Sequence, residues 1–380
     1  MSAWSALICK SSFGRLTTGA AASALLCAIW LLCETAPLSP ALAQSSTQSG
    51  PKGAAKPTPA CVDCHAGAAH AYATAPMRHA MEVPGDDPAL ESHPNLTVQQ
   101  GAYKYTVLTK DGKTSYSVTD GTDTLTLPVR WMFGQQSQTW VLEKDGFFYE
   151  GLVSYFAREQ ALATTPGDGH ITPHNITEAM GRKLSPWEVL QCFNCHATNA
   201  STGTHVNFDK LRPGLDCERC HIGAVQHQID AANDNFTTLP KALKKMDSQD
   251  TANFCGQCHR TWDTAVRNKW KGIPDVRFQP YRLENSKCFI GNDRRISCLA
   301  CHDPHQHVNH DQAFYDAKCL ACHAPAKSPA AVATAAIKSC PVAKANCASC
   351  HMPKTQLPGT HSMFTDHEIR IVRPGEEYPN

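Results

Sequence analysis

A cysteine, two intervening residues, a second cysteine and then a histidine recur seven times along this chain. The copies are Cys61, Cys64 and His65; Cys192, Cys195 and His196; Cys217, Cys220 and His221; Cys255, Cys258 and His259; Cys298, Cys301 and His302; Cys319, Cys322 and His323; and Cys347, Cys350 and His351. The sequence holds 19 Cys and 19 His in 380 residues. Random placement of that composition would give about 0.05 such matches, so the repeat carries chemistry. Two thiols about one helical turn apart can each add across one of the two vinyl groups of haem, while the adjacent imidazole reaches the iron. Each motif therefore predicts one covalent c-type haem, seven in all, with its histidine as proximal ligand. Pairs of cysteines at this spacing also build four-cysteine zinc sites and structural disulfides, but neither needs a histidine directly after every second cysteine.

Seven proximal histidines leave twelve others, enough to place an imidazole on the opposite face of every iron. A residue such as His305, three positions after His302, lies on the same face of that haem and cannot easily swing round it. It is expected to bind a neighbouring iron, and the same reasoning applies to His227 after His221 and to His205 after His196. Such crossed ligation would fix haems close together. The distal candidates are His305, His227, His361, His367, His205 and His174, with Met77 or His79 competing for a seventh position. Bis-imidazole ligation throughout predicts low potentials and irons closed to external ligands, whereas a methionine ligand would raise one potential.

Two cysteines stand outside the motifs, Cys288 and Cys340; in an oxidising compartment a disulfide between them is the first expectation, with free buried thiols or a redox role as alternatives.

The elements that must position these groups are unevenly spread. The first motif stands alone, and six crowd the C-terminal half. From Tyr103 to Phe156 the chain alternates β-branched and aromatic residues with polar ones, punctuated by Asp111-Gly112, Asp120-Gly121 and Asp145-Gly146, which suit tight hairpin turns. This predicts three or four antiparallel strands, with Trp131, Phe133, Trp140, Phe147, Phe148, Tyr149 and Tyr155 packing a small sheet against haem. A helical stretch from Ile176 to Cys192 leads into the second motif. The fold expected is a multihaem cytochrome c, mainly α and irregular with a haem-packed core and a small antiparallel β insertion near residues 103–156.

The N-terminus reads as an export signal: Lys10 and Arg15 precede an apolar run from Leu16 to Leu32, followed by Ala41-Leu42-Ala43, a small-residue cleavage site. An uncleaved membrane anchor is the competing reading of a run this long. The organisation expected is a signal peptide over 1–43, a disordered polar leader over 44–60, a one-haem region with hairpins over 61–190 and a six-haem domain over 191–380. No later segment is apolar enough to cross a bilayer, so no permanent span is expected after cleavage, and the compartment is periplasmic or otherwise exported. Lys and Arg total 35 against 34 Asp and Glu, with no basic block to track a phosphate backbone, which argues against nucleic acid as a partner. Beyond residue 43 basic and acidic side chains balance. Two propionates per haem would then leave an oxidised holoprotein acidic by roughly seven units, suited to redox partners with a basic docking patch. The sequence leaves oligomerisation open.

Several stretches together resemble a known family. Cys217-Glu218-Arg219-Cys220-His221 with His227 beyond, CHDPH at Cys301 to His305, CHMPK at Cys350 to Lys354 and HSMFTDH ending at His367 are similar to the bacterial multihaem cytochromes of the cytochrome c-554 family. The resemblance covers most of residues 61–370. It implies an electron carrier related in haem arrangement to hydroxylamine oxidoreductase and multihaem nitrite reductases. It further implies His227, His305 and one of His361 or His367 as distal ligands. Where such proteins often place a distal histidine after the first motif, this chain has Met77, with His79 two residues later.

Electron transfer along packed haems is thus the first functional expectation. The alternative is an oxidoreductase acting on a small nitrogen or sulfur compound at one five-coordinate haem.

Overall fold

The computed structural model describes residues 59–323, 340–373, 375, 376 and 378. The export signal and all of the leader except Pro59 and Ala60 lie outside the described residues. The largest element is a ten-stranded antiparallel sheet spanning Met81 to Lys183. Its strands are β1 (Met81–Glu82), β2 (Asn95–Gln100), β3 (Tyr103–Lys110), β4 (Lys113–Thr119), β5 (Thr124–Phe133), β6 (Ser137–Lys144), β7 (Phe147–Gly151), β8 (Val153–Phe156), β9 (Ala161–Thr164) and β10 (Gly181–Lys183).

This corrects the expected fold, mainly α and irregular with a small β insertion near residues 103–156. The sheet is a principal part of the architecture and holds the largest apolar core. The alternation in β3 to β5 was readable because one face is buried. β1 and β10 are only two and three residues long, and all four residues of β8 are buried, so none of these shows a period of two.

Turn chemistry sets the register. Asp111 and Gly112 both adopt positive φ, 52° and 69°, as do Asp145 and Gly146, at 53° and 76°, which matches the twist of two-residue hairpins. Lys110 consequently pairs with Lys113, and Lys144 with Phe147. At the third site Asp120 Oδ1 accepts from the Thr122 and Asp123 amides, making a wider loop. Register places Tyr105 opposite Val118 and Val107 opposite Tyr116, all four buried, with Trp140 and Leu142 on the same core. The sheet curls because strands change partners midway. β5 pairs with β4 through Thr124 to Pro128 and with β6 from Val129 onward, the latter pairing shifting register between Val129 and Trp131.

A second apolar cluster joins the sheet to the haem-motif region. Trp131 and Phe133 of β5 meet Phe193 edge-on at 4.9 and 5.3 Å, and Phe193 lies on the helix that ends in the second motif. Phe133 also meets the His196 ring of that motif at 4.8 Å, whereas Phe147 is half exposed.

The helices are short: α1 (Pro59–Cys64), α2 (Ala66–Tyr72), α3 (Pro88–Ser92), α4 (Ile176–Met180), α5 (Pro186–His196), α6 (Cys217–Cys220), α7 (Ala224–Ala231), α8 (Ser248–His259), α9 (Trp262–Arg267), α10 (Gln279–Glu284), α11 (Cys298–Cys301), α12 (Gln312–His323) and α13 (Cys347–His351). The continuous helix expected from Ile176 to Cys192 is two, separated by β10. Gly181, at φ 156°, would place a Cβ 2.3 Å from the Glu150 carbonyl oxygen, so the chain passes there in contact with β7. Among the described residues no helix is long and apolar enough to cross a membrane.

Candidate haem-binding centres

Each motif is, locally, a turn of helix. The His65, His221 and His302 amides each donate to the carbonyl of the first cysteine of their motif at 2.8 Å. That hydrogen bond puts both thiols on one side of the turn and starts the histidine side chain from its end.

Capping residues fix where these turns begin. Ser185 and Glu188 form a reciprocal capping box with Pro186 in the first turn, starting α5 so that it runs into Cys192 and His196. The Asp247 side chain accepts from the Asp250 amide to start α8, and Asp216 accepts from the Cys217 amide at α6. Asp316, on α12, accepts from the Asn346 and Cys347 amides at 2.7 and 2.8 Å, tying the seventh motif to the helix of the sixth.

Three proximal imidazoles face a second imidazole. His65 and His227 have ring centroids 6.4 Å apart, His221 and His305 5.9 Å, and His302 and His367 6.1 Å. A metal–imidazole bond of about 2 Å on each side, plus roughly 1 Å from each nitrogen to its ring centre, sets two axial imidazoles about 6 Å apart. The three pairs therefore fit an iron between them.

The pairing is crossed. His227 follows His221 by six residues yet faces His65, and His305 follows His302 by three yet faces His221. Each of these two rings lies beside the motif histidine of another motif.

The remaining ring atoms of the outer partners are also committed. Nδ1 of His227 bonds the Thr238 carbonyl at 2.7 Å, Nδ1 of His367 the Thr365 carbonyl at 2.9 Å, and Nδ1 of His305 lies 3.0 Å from the Asp303 carboxylate. Each contact occupies Nδ1 and so leaves Nε2 as the ring nitrogen available to a metal, the arrangement by which neighbouring acceptors orient metal ligands. Among the proximal set, Nδ1 of His196 meets the Ala80 carbonyl at 2.7 Å and Nδ1 of His351 that of Arg370 at 2.9 Å. Burial holds the His196, His221, His259 and His302 imidazoles below the usual histidine range and pushes His367 down to about 4. Neutral imidazole is the form that binds a metal.

The chain around His367 is anchored by a pair that sequence reading missed. Arg282, on α10, donates from Nε and Nη2 to the two oxygens of Asp366 at 2.9 and 3.0 Å, and both side chains are essentially excluded from solvent. Ser286 donates to the His367 carbonyl at 3.3 Å and accepts from the Ile369 amide at 2.8 Å. The only sequence signal was an aspartate directly before a candidate ligand.

Contacts also bind the first motif to the third. Gly214 adopts φ 72°, and a Cβ there would lie 1.9 Å from the Arg78 carbonyl oxygen. The Leu215 amide donates to Met77 at 3.2 Å and the Tyr72 hydroxyl to Leu215 at 2.8 Å. Elsewhere the motifs come together at their thiols, with Cys195 beside Cys258, Cys255 beside Cys298 and Cys319 beside Cys347.

Other candidate ligands sit elsewhere. His79 has both nitrogens engaged, Nδ1 with Glu82 at 2.6 Å and Nε2 with the Ala73 carbonyl at 2.7 Å. His205 is exposed with Nδ1 on the Thr204 hydroxyl, and His174 is exposed beside Glu178. His361 packs on Phe156 at 4.6 Å, with Nδ1 4.0 Å from Glu159. Met77 is half-buried, its carbonyl committed to Leu215. None of these four histidines forms a ring pair with a proximal histidine among the described residues. Cys288 and Cys340 are not joined: both are free thiols, Cys340 exposed and Cys288 close to Cys319 and Cys322.

One further centre opens on a cavity. His259 and Cys258 line a space of about 600 Å³ together with His196, Trp270 and Phe278. Such a volume is that of a cofactor pocket. His259 is exposed to this space, and among the described residues no second imidazole pairs with it.

Residues 167–222 match the family model described as cytochrome c554 and c-prime, a stretch that includes the second and third motifs. The outer cell wall cytochrome OcwA, a solved structure, is similar at 18% identity and a TM-score of 0.33, the match covering 53% of this chain and 36% of that one. This chain thus spans well under half of that protein's length. No curated protein matches.

Proposed function

We propose that this multihaem c-type cytochrome, whose residues 167–222 are of the cytochrome c554 and c-prime type, is an exported seven-haem protein that passes electrons between redox partners. The observation that carries the reading is the crossed pairing of His65 with His227 and His221 with His305, followed by that of His302 with His367. Each outer imidazole of the first two pairs belongs to the segment of the next motif in the series, so the first, third and fifth centres are held in sequence.

Bound haem supplies one-electron chemistry, with a potential set by ligands, charge and burial. The chain's own residues supply the rest. The cysteines bind, and the paired histidines close both faces of a site. Thr238, Thr365 and Asp303 orient the outer rings. Burial favours the neutral form of the His221, His302 and His367 imidazoles. Export accords with the N-terminal signal and with covalent haem attachment outside the cytoplasm; the acidic charge of the holoprotein accords with partners that carry a basic docking patch.

A second reading is favoured by one observation, the His259 ring opening on a cavity without a facing imidazole: an oxidoreductase acting on a small nitrogen or sulfur compound there. Intact mass of the purified protein tests the haem count, expected at seven. Low-temperature EPR of the ferric protein, with carbon monoxide titration of the ferrous form, separates the two readings. Low-spin signals alone and no carbon monoxide shift are expected for the carrier; a high-spin ferric centre that binds carbon monoxide would establish the enzyme instead.

A further inference from the structure

The cavity beside His259 carries an excess of positive charge. Arg260, Lys271 and Arg277 line it, against the single carboxylate of Asp275. None of the three cations makes an ion pair or a side-chain hydrogen bond among the described residues. The Arg260 guanidinium lies 5.7 Å from the centre of the Trp270 ring and that of Arg277 5.5 Å from Phe278, contacts that leave their donors free. Burial first, and then the nearby Arg260, hold the Arg277 guanidinium below its usual range, with Asp275 opposing. Like charges gathered around one open cavity, with five donors on each guanidinium unspent, call for an anion.

Arg260 is also held in a costly backbone conformation. It follows His259 at the end of α8 with φ 71°, in the left-handed region that favours glycine or asparagine. Gly256, one turn back, is packed so tightly that a Cβ would lie 2.6 Å from the Thr261 side chain, so the chain has little freedom to turn otherwise. Strain of this kind persists where the surroundings impose it and clusters at functional sites.

We infer that Arg260 and Arg277 form a propionate clamp, holding the carboxylates of the haem attached at Cys255 and Cys258. This rests on the proposed attachment of haem to that motif. Bidentate guanidinium–carboxylate pairing suits the geometry of arginine better than that of lysine, which leaves Lys271 a supporting charge. Cations beside a haem favour its reduced state, so the clamp raises the potential of this centre relative to one whose propionates face water.

The test compares wild type with R260N, R277Q and R277K by redox titration followed optically and by EPR, and by mass of the proteolytic peptides carrying each motif. Asparagine tolerates the left-handed conformation, so R260N removes charge without adding backbone strain and stands in if R277Q does not fold. The expected result is full haem occupancy, one midpoint shifted to lower potential in R260N and R277Q, and a smaller shift in R277K. Midpoints superimposable on wild type would overturn the clamp. So would nitrite or phosphate perturbing this haem in wild type but not in R277Q, because the cations would then serve an external anion. A wild-type peptide without haem on Cys255 and Cys258 would overturn both the clamp and the attachment, and the mass alone distinguishes that case.

Discussion

The imidazoles of His221 and His305 lie nearly parallel, 12° apart in plane and 5.9 Å between centres, although His305 leaves the chain only three residues after His302. A side chain three residues beyond a proximal ligand starts on that ligand's own side. The nearest iron open to it belongs to another motif.

Replacing His305 with alanine is expected to convert one low-spin ferric haem to high spin and to create one carbon monoxide-binding centre, while the haem count by mass stays at the wild-type value. The remaining low-spin signals should be unchanged. Retention of every low-spin signal would show that His305 ligates no iron.

Asp366→Asn leaves the Arg282 guanidinium, which is 1% exposed, without its principal counter-charge. Breaking a buried pair costs about 3–5 kcal/mol, and the residual contact of Arg282 with Glu368 at 2.5 Å places the expected loss near the lower end. Chemical denaturation measures it. Because Asp366 adjoins His367, the EPR signal of the centre at His302 should broaden or shift in the folded variant, which a purely structural pair elsewhere would not cause.

Gly214→Ala places a methyl group within 1.9 Å of the Arg78 carbonyl oxygen at φ 72°. Neither the backbone nor the carbonyl can yield cheaply, and a destabilisation of about 2 kcal/mol or more is expected. Thermal unfolding reads the loss, and the His65 centre should be the first to show a disturbed spectrum, since this contact ties its segment to the third motif.

Stability of the β-sheet region should rise as the solution is acidified from pH 7 toward 5. Burial pushes the Asp87 and Asp168 carboxyls up to about 6; Glu82 adds to the shift at Asp87, and Glu150 adds to it at Asp168 against the opposing Arg182. A carboxyl raised in the folded state binds more protons there than when unfolded. Its contribution is complete below the unfolded value near 4 and is lost as pH rises through about 6. Asp168→Asn should flatten part of that rise, on the order of 1–2 kcal/mol after screening by solvent, in denaturation curves taken across the range. An identical pH slope in the variant would exclude Asp168 as a source.

The haem motifs were legible because covalent attachment demands fixed residue types at fixed spacing. Crossing at His227 and His305 was legible from chain geometry alone, since short tethers forbid the alternative. That His367 rather than His361 meets a motif histidine was not: both lie in one short stretch, and Asp366, beside His367, is held by Arg282, 84 residues away. The extent of the sheet was hidden for a related reason. β8 is buried along its whole length and β1 and β10 are fragments, so their partners, distant in sequence, decide their state. Arg260 and Arg277 look like ordinary surface cations until the end of α8 and the segment around Asp275 bring them to one cavity.

Crossed pairing also imposes an order on biosynthesis. As the chain is made from its N-terminus, His65 is present long before His227, His221 before His305, and His302 before His367. On the proposed ligation each of these centres begins half-dressed, with one face bare until a later stretch of polypeptide arrives to cover it. Maturation is then a relay in which the third segment completes the first centre, the fifth the third, and the C-terminal stretch the fifth, and a chain cut short after His221 would leave both the first and third centres open to stray ligands.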